Sequence, residues 1–192
     1  TTASVNLLRY GEQAGEQHVD EGFSIVNYPL DLLKEVNFVD SPGTNALNRE
    51  HERLTEDYVP RSDHVLFISS ADRPMTESER QFLERIISWG KKVSIVINKI
   101  DILENAEALE KVLAFTKENA SRILGFEPEV FLISAKKAQK ANLSADLSEK
   151  EQLWKESGIA NLDHFIKETL DDSSRLKQKL LNPLGMRPSS TP

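Results

Sequence analysis

The chain has 192 residues, of which 39% are apolar and 29% charged, proportions that suit one globular domain with a single core. A formal charge of −7 argues against a nucleic-acid partner, because phosphate binding needs an excess of Lys and Arg on at least one face. Cysteine is absent, which excludes disulfides and thiolate metal sites, and no apolar run approaches the ~20 residues of a membrane-spanning helix.

Taken in order, Ser4 to Tyr10 alternates and predicts a strand, followed by a Gly/Glu/Gln turn from Gly11 to Gly22 and a second strand over Phe23–Asn27. Val36–Val39 predicts a third strand ending at Asp40. Leu47, Leu54 and Tyr58 stand at helical spacing, with Pro60 beyond the end of that helix. Val65–Ser69 is a continuous apolar strand of the kind buried on both faces of a parallel sheet. Thr76-Glu77-Ser78-Glu79 is a capping box for a helix with the apolar face Phe82, Leu83, Ile86 and Ile87, and Gly90 stops it. Val93–Ile97 predicts another buried strand, Asn105 to Leu124 a long helix stopped by Gly125 and Pro128, and Val130–Ile133 a last strand.

Beyond this point the chain turns helical. Ser148-Glu149-Lys150-Glu151 forms a second capping box, and Leu162, Phe165, Ile166, Thr169 and Leu170 give an amphipathic face out to about Leu181. Strands alternating with helices predict an α/β fold: βαβ units and a mostly parallel sheet, with an antiparallel pair at its start. The chain begins at Thr1 without an initiator Met or targeting segment, and residues 185–192 form a Pro/Ser-rich tail expected to be disordered. Both ends read as cuts.

In open parallel sheets, ligands bind outside the carboxyl ends of the strands, so those ends are where chemistry is expected. Three stand out. Asp40-Ser41-Pro42-Gly43 offers a carboxylate to hold water on Mg²⁺ and a glycine whose bare N–H can approach a terminal phosphate. Asn98-Lys99-Ile100-Asp101 ends the next buried strand. Guanine presents two adjacent donors that one carboxylate, Asp101, can accept together, while Asn98 ties the loops beside the base and the stem of Lys99 lies along its face. Ser134-Ala135-Lys136 ends the last strand and places the Ala135 N–H within reach of the guanine O6. The order along the chain is phosphate, base, base.

These residues resemble the DxPG, NKxD and SAK elements of the GTPases. A wider likeness, carried by Val39–Asn45, Arg53–Pro60, Ser70–Glu79 and Trp154–Gly158, is to the plastid fuzzy-onions-like and cyanobacterial dynamin-like proteins, relatives of the mitofusins. The resemblance implies a three-layer P-loop GTPase-type domain that binds GTP/GDP and Mg²⁺. It implies pairing with a second copy through the nucleotide face, and a helical stalk and membrane-inserting tip that follow in sequence outside this chain. It also implies a switch threonine, best matched by Thr2 with Thr1 second, that helps hold Mg²⁺ and the attacking water beside Gly43. On this reading residues 1–147 are a partial GTPase domain and 148–184 its C-terminal helices leading to the stalk. The chain would belong to a membrane-remodelling enzyme of chloroplast (thylakoid or envelope) or cyanobacterial membranes.

One departure from the pattern is large. A phosphate-binding loop needs spaced glycines followed by Lys-Ser or Lys-Thr. The glycines stand at 11, 15, 22, 43, 90, 125, 158 and 185, and only Gly90 precedes a lysine, without the hydroxyl. The first strand, the phosphate loop and the first helix are therefore expected to lie upstream of Thr1, and residues 1–192 alone are expected to bind GTP very weakly and to be inactive. Thr44 stands where many small GTPases orient water with a glutamine, so hydrolysis would need help from dimerisation. Two other readings compete: a non-enzymatic docking or dimerising module that has lost its phosphate loop, and a ribosome-assembly or tRNA-modifying GTPase. The acidic balance disfavours the latter.

Overall fold

The computed structural model describes residues 5–20, 22–40 and 59–169. Among the described residues, seven strands form two hydrogen-bonded sheets: β1 (Val5–Tyr10), β2 (Gly15–Asp20), β3 (Phe23–Tyr28) and β4 (Phe38–Asp40) in the order β2-β3-β1-β4, and β5 (His64–Ser70), β6 (Lys92–Asn98) and β7 (Val130–Leu132) in the order β5-β6-β7. β1 runs parallel to β3, from Val5 opposite Phe23 to Tyr10 opposite Tyr28, and antiparallel to β4. The second sheet is parallel throughout. The helices are α1 (Glu77–Ser88), α2 (Ala106–Leu124), α3 (Ala135–Leu143) and α4 (Leu147–Glu156), followed by α5 over 159–169.

The second sheet is the middle of three layers, as its alternation dictates. On β6, Val93, Ile95 and Ile97 point to one face and join Phe67, Leu83, Ile86, Ala120 and Leu124 in a cluster covered by α1 and α2. Val96 points the other way and packs with Ile133 and Leu162, backed by Leu66, Phe131 and Ile166, under α5. Phe165 of α5 lies 4.9 Å from the Phe131 ring and 5.6 Å from the ring of His64, whose Nε2 is 3.0 Å from Ser94 Oγ. A strand covered on both faces is apolar at most positions, and in Val93–Ile97 the one polar residue, Ser94, is buried and takes His64 as its partner.

Local signals set the helix ends. Thr76 and Glu79 close the expected capping box, the Thr76 side chain accepting from the Glu79 N–H and the Glu79 carboxylate from the Thr76 N–H. Asn105 caps α2 through the Ala108 N–H at 2.9 Å, and Gly125 ends it at φ +78°, a conformation that glycine adopts without a Cβ penalty.

Two local expectations are corrected. The segment 11–22 is more than a turn: it contains β2, an edge strand paired antiparallel with β3, so the antiparallel pair at the start is β2–β3. Its sequence, Gly-Glu-Gln-His-Val-Asp, gives no apolar face because β2 lies on a solvated edge, and Val19 is 51% exposed. The second helical cap is Asp146, which accepts the Ser148 N–H at 2.8 Å and the Glu149 N–H at 3.2 Å, so α4 begins ahead of Ser148. Asp146 reaches the free amides of the first turn from outside the helix, leaving Ser148 inside it. The helix expected over Leu47–Tyr58, the segment beyond 169 and the tail 185–192 lie outside the described residues.

Candidate functional site

Because β5, β6 and β7 run parallel, their carboxyl ends share one edge, and three loops converge there. β6 ends at Asn98, and Lys99 then takes a left-handed conformation, φ 65°, which is uncommon for a residue with a side chain. The local geometry supports it. Asn98 Oδ1 accepts the Lys99 N–H at 2.7 Å, and the Ile100 N–H reaches the Ile133 carbonyl at 3.2 Å. Backbone held this way needs its surroundings to fix it and is common at binding sites.

Asn98 Oδ1 also accepts the Ala135 N–H at 3.0 Å, tying the end of β6 to the start of α3. Ser134, fully buried, donates its hydroxyl to Asp101 Oδ1 at 2.5 Å and accepts the Lys137 N–H at 3.1 Å as the cap of α3. Asn98, Lys99, Asp101, Ser134 and Ala135 thus form one hydrogen-bonded group, with Lys136 exposed in the first turn of α3. The Ala135 N–H is thus engaged by Asn98.

The Ser134 hydroxyl holds the Asp101 carboxyl below the usual carboxylate range, with smaller help from Lys136 and Lys137. The carboxylate therefore stays charged, and able to accept two donors, until the pH falls below that range. A depressed value means the bond to Ser134 stabilises the fold above the ordinary carboxylate pKa and is lost as pH drops through the lowered one. Replacing the hydroxyl, Ser134→Ala, is expected to raise the Asp101 midpoint toward its ordinary value. A carboxyl-carbon NMR titration checks this, and an unmoved midpoint would show the hydroxyl is not the cause.

A residue of the Ser70–Glu79 stretch that carries no nucleotide motif joins the group. Asp72, in the loop after β5, receives the Ser70 hydroxyl, which holds its carboxyl below the usual range, and its Oδ1 lies 3.9 Å from Lys99 Nζ. The Ala71 N–H donates to the Asn98 carbonyl at 2.9 Å, so the β5 loop is fixed to the β6 loop. Asp72 gives the Lys99 ammonium a partner while the stem of that side chain remains available as a flat apolar surface. Sequence could not supply this contact, since it depends on β5 and β6 being neighbours.

A depression of about 230 Å³ borders Asp101, with Ile100, Leu103, Lys137 and Glu156 among its lining residues. A larger one of about 360 Å³ lies between α3 and α4, lined by Asn142, Leu147, Lys150, Glu151 and Trp154, and shares no residue with the strand-end loops. Asp40 ends β4 on the other sheet, exposed; Thr2 and Gly43 lie outside the described residues. Among the described residues no cluster of three His, Asp or Glu could hold a metal, and no helix is long and apolar enough to cross a membrane.

Residues 1–101 match the dynamin family. Over 97% of its length the chain is 35% identical to a probable transmembrane GTPase of Arabidopsis thaliana, described as FZO-like and chloroplastic, of which it covers 23%. It is 30% identical to dynamin-like protein 1 of Campylobacter jejuni, over 71% of this chain and 20% of the relative. The bacterial dynamin-like protein of Nostoc punctiforme is 38% identical over 43% of this chain and 12% of the relative. The chain thus spans less than a quarter of each of these three proteins. Among solved structures, the apo form of translation elongation factor SelB from Methanococcus maripaludis superposes with a TM-score of 0.52 at 15% identity, over 81% of this chain and 27% of that one, a likeness of fold alone.

Proposed function

The chain belongs to the dynamin family, and from that premise we propose that it carries the base-reading half of a GTP-binding and GTP-hydrolysing domain. One observation carries this reading: Asn98 and Asp101 are hydrogen-bonded to Ala135 and Ser134, far apart in sequence, at the carboxyl ends of adjacent parallel strands. In this reading Asp101 accepts the two donors of the guanine edge, Lys99 covers the base face, and the Ala135 N–H meets the base oxygen. Ser134 and Asn98 hold these groups in register, and Lys136 adds positive charge at the mouth.

The phosphate half is proposed from the resemblance. Asp40, an exposed carboxylate at a strand end, is a chemically suitable oxygen donor for Mg²⁺, directly or through water, and Thr2 would be its companion. Mg²⁺ would supply charge neutralisation along the phosphates. Gly43 would offer its N–H to the terminal phosphate. Residues 1–147 would form the partial GTPase domain and 148–184 the helices leading to a stalk. Homodimerisation through the nucleotide face, membrane contact through segments outside these 192 residues, and work on thylakoid or other chloroplast or cyanobacterial membranes complete the proposal.

The 192 residues contain no glycine-rich loop ending in Lys-Ser or Lys-Thr, so the chain alone grips the base and not the phosphates. Isothermal titration of residues 1–192 with GTP is expected to show no micromolar binding and no turnover. In NMR titrations GMP is expected to shift the amides of Asn98, Lys99, Asp101, Ser134 and Ala135, and AMP is not. Micromolar GTP affinity would defeat the account of the phosphates; equal response to GMP and AMP would defeat the account of the base. A chain that dimerises or docks without discriminating the bases would instead be an interaction module derived from such a domain.

A further inference from the structure

We propose that the turn at Ser157 and Gly158, between α4 and α5, is a positioning element for base recognition: it fixes Ser134 and, through it, the Asp101 carboxylate. The inference rests on the reading of the strand-end loops as a guanine site.

The α3–α4 hairpin leaves and returns to the same point, because the Ser134 N–H just before α3 donates to the Ser157 carbonyl just after α4 at 2.8 Å. Ser157 is fully buried and is itself held rigidly. Its N–H donates to the Leu153 carbonyl at 2.9 Å and its hydroxyl to the Trp154 carbonyl at 2.6 Å. Gly158 follows at φ +67°, and a Cβ there would overlap the Leu132 carbonyl oxygen at the end of β7. Only glycine allows the turn to press so closely on that strand. Lys137 Nζ and Glu156 Oε2, 2.7 Å apart, close the hairpin from the outside.

Each polar group of Ser134 that could set its orientation is therefore spoken for. The N–H goes down to Ser157, while the hydroxyl accepts from Lys137 and donates to Asp101. If the turn moved away from β7, Ser134 would follow the Ser157 carbonyl, and the hydroxyl that aims Asp101 would move with it. A carboxylate that must meet two donors at once tolerates a displacement of only about 0.5 Å, so a small shift of the turn reads out as lost base discrimination. A glycine that merely allowed the chain to turn would have no such effect on a side chain in the loop after the neighbouring strand, β6.

The experiment is an NMR titration of residues 1–192 with GMP and AMP, on the native sequence and on Gly158→Ala. The variant is expected to bind GMP about tenfold more weakly, the loss of one well-aimed hydrogen bond to a charged group. AMP response and the amides of Val93–Ile97 should be unchanged. Native GMP affinity in a folded Gly158→Ala chain would overturn the positioning role while leaving the guanine site standing. A native chain that does not prefer GMP would defeat the site itself. Should Gly158→Ala not fold, hydrogen exchange on the native chain decides: GMP should slow exchange at Ser134, Ser157 and Ile159 together, and a response confined to Ser134 overturns the proposal.

Discussion

Replacing the Asp101 carboxylate by an amide, Asp101→Asn, is expected to abolish the preference for GMP and create one for XMP. Guanine offers the side chain two donors, N1–H and the C2 amino group, and a carboxylate accepts both. An asparagine accepts one and must point its own NH₂ at the other, so donor faces donor. One charge-assisted hydrogen bond lost, the other reduced to a neutral one, and a donor left facing a donor amount to roughly 3 kcal/mol or more, at least a hundredfold in affinity. Xanthine replaces the C2 amino group by a carbonyl, which the asparagine NH₂ can meet. The fold should tolerate the change, because the Ser134 hydroxyl that now donates to Asp101 Oδ1 can donate equally to an amide oxygen. NMR titration with GMP, XMP and AMP measures the outcome. A variant that still preferred GMP would show that Asp101 serves the loop and not the base.

What the sequence made legible divides by the range of the interaction involved. The Thr76–Glu79 box is local, written in residues three apart, and forms as read; the long helix expected from about Asn105 does start there, with Asn105 as its cap. The largely apolar run Val93–Ile97 announces a buried strand, and the two faces of β6 do carry separate clusters. The edge strand β2 was hidden because a strand on a solvated edge has no need of apolar residues. Asp146 displaced Ser148 as a cap because two good N-caps stood two residues apart, and local sequence alone did not rank them.

At the site the same rule holds. Asn98, Lys99, Asp101, Ser134 and Ala135 stand on recognisable motifs at strand ends, and the structure brings them into one hydrogen-bonded group. Asp72 and Ser157 stand on no such motif, since their roles arise only when β5 lies beside β6 and when the end of α4 returns to Ser134. In a parallel sheet, strands adjacent in space are separated by whole helices in sequence, so contacts between their loops leave no spacing to read.

Removing the Ile95 side chain beyond Cβ, Ile95→Ala, is expected to destabilise the described domain by about 3 kcal/mol, within the range for emptying a packed apolar site. Ile95 is fully buried on the central strand β6, flanked by β5 and β7, and belongs to the cluster that includes Leu83, Ile86 and Leu124. Helices on one face and strands on both sides restrain its neighbours, so the cavity can close only partly. Domains of this size have roughly 5–15 kcal/mol in hand, so the variant should lose a large fraction of its stability. The comparison is Ile68→Ala on β5, where the side chain is 63% exposed and the loss should stay within about 0.5 kcal/mol. Urea unfolding followed by tryptophan fluorescence gives both values, and a lower midpoint at unchanged slope identifies a loss of stability rather than a change in the unfolded chain. The proposed base site supplies a second readout, because Asn98 and Asp101 follow directly from this strand. As long as the Ile95→Ala chain remains folded, GMP should stabilise it against urea as it does the native chain, since the ligand binds the folded state alone. Equal losses at positions 95 and 68 would contradict the assignment of β6 to the middle of the three layers.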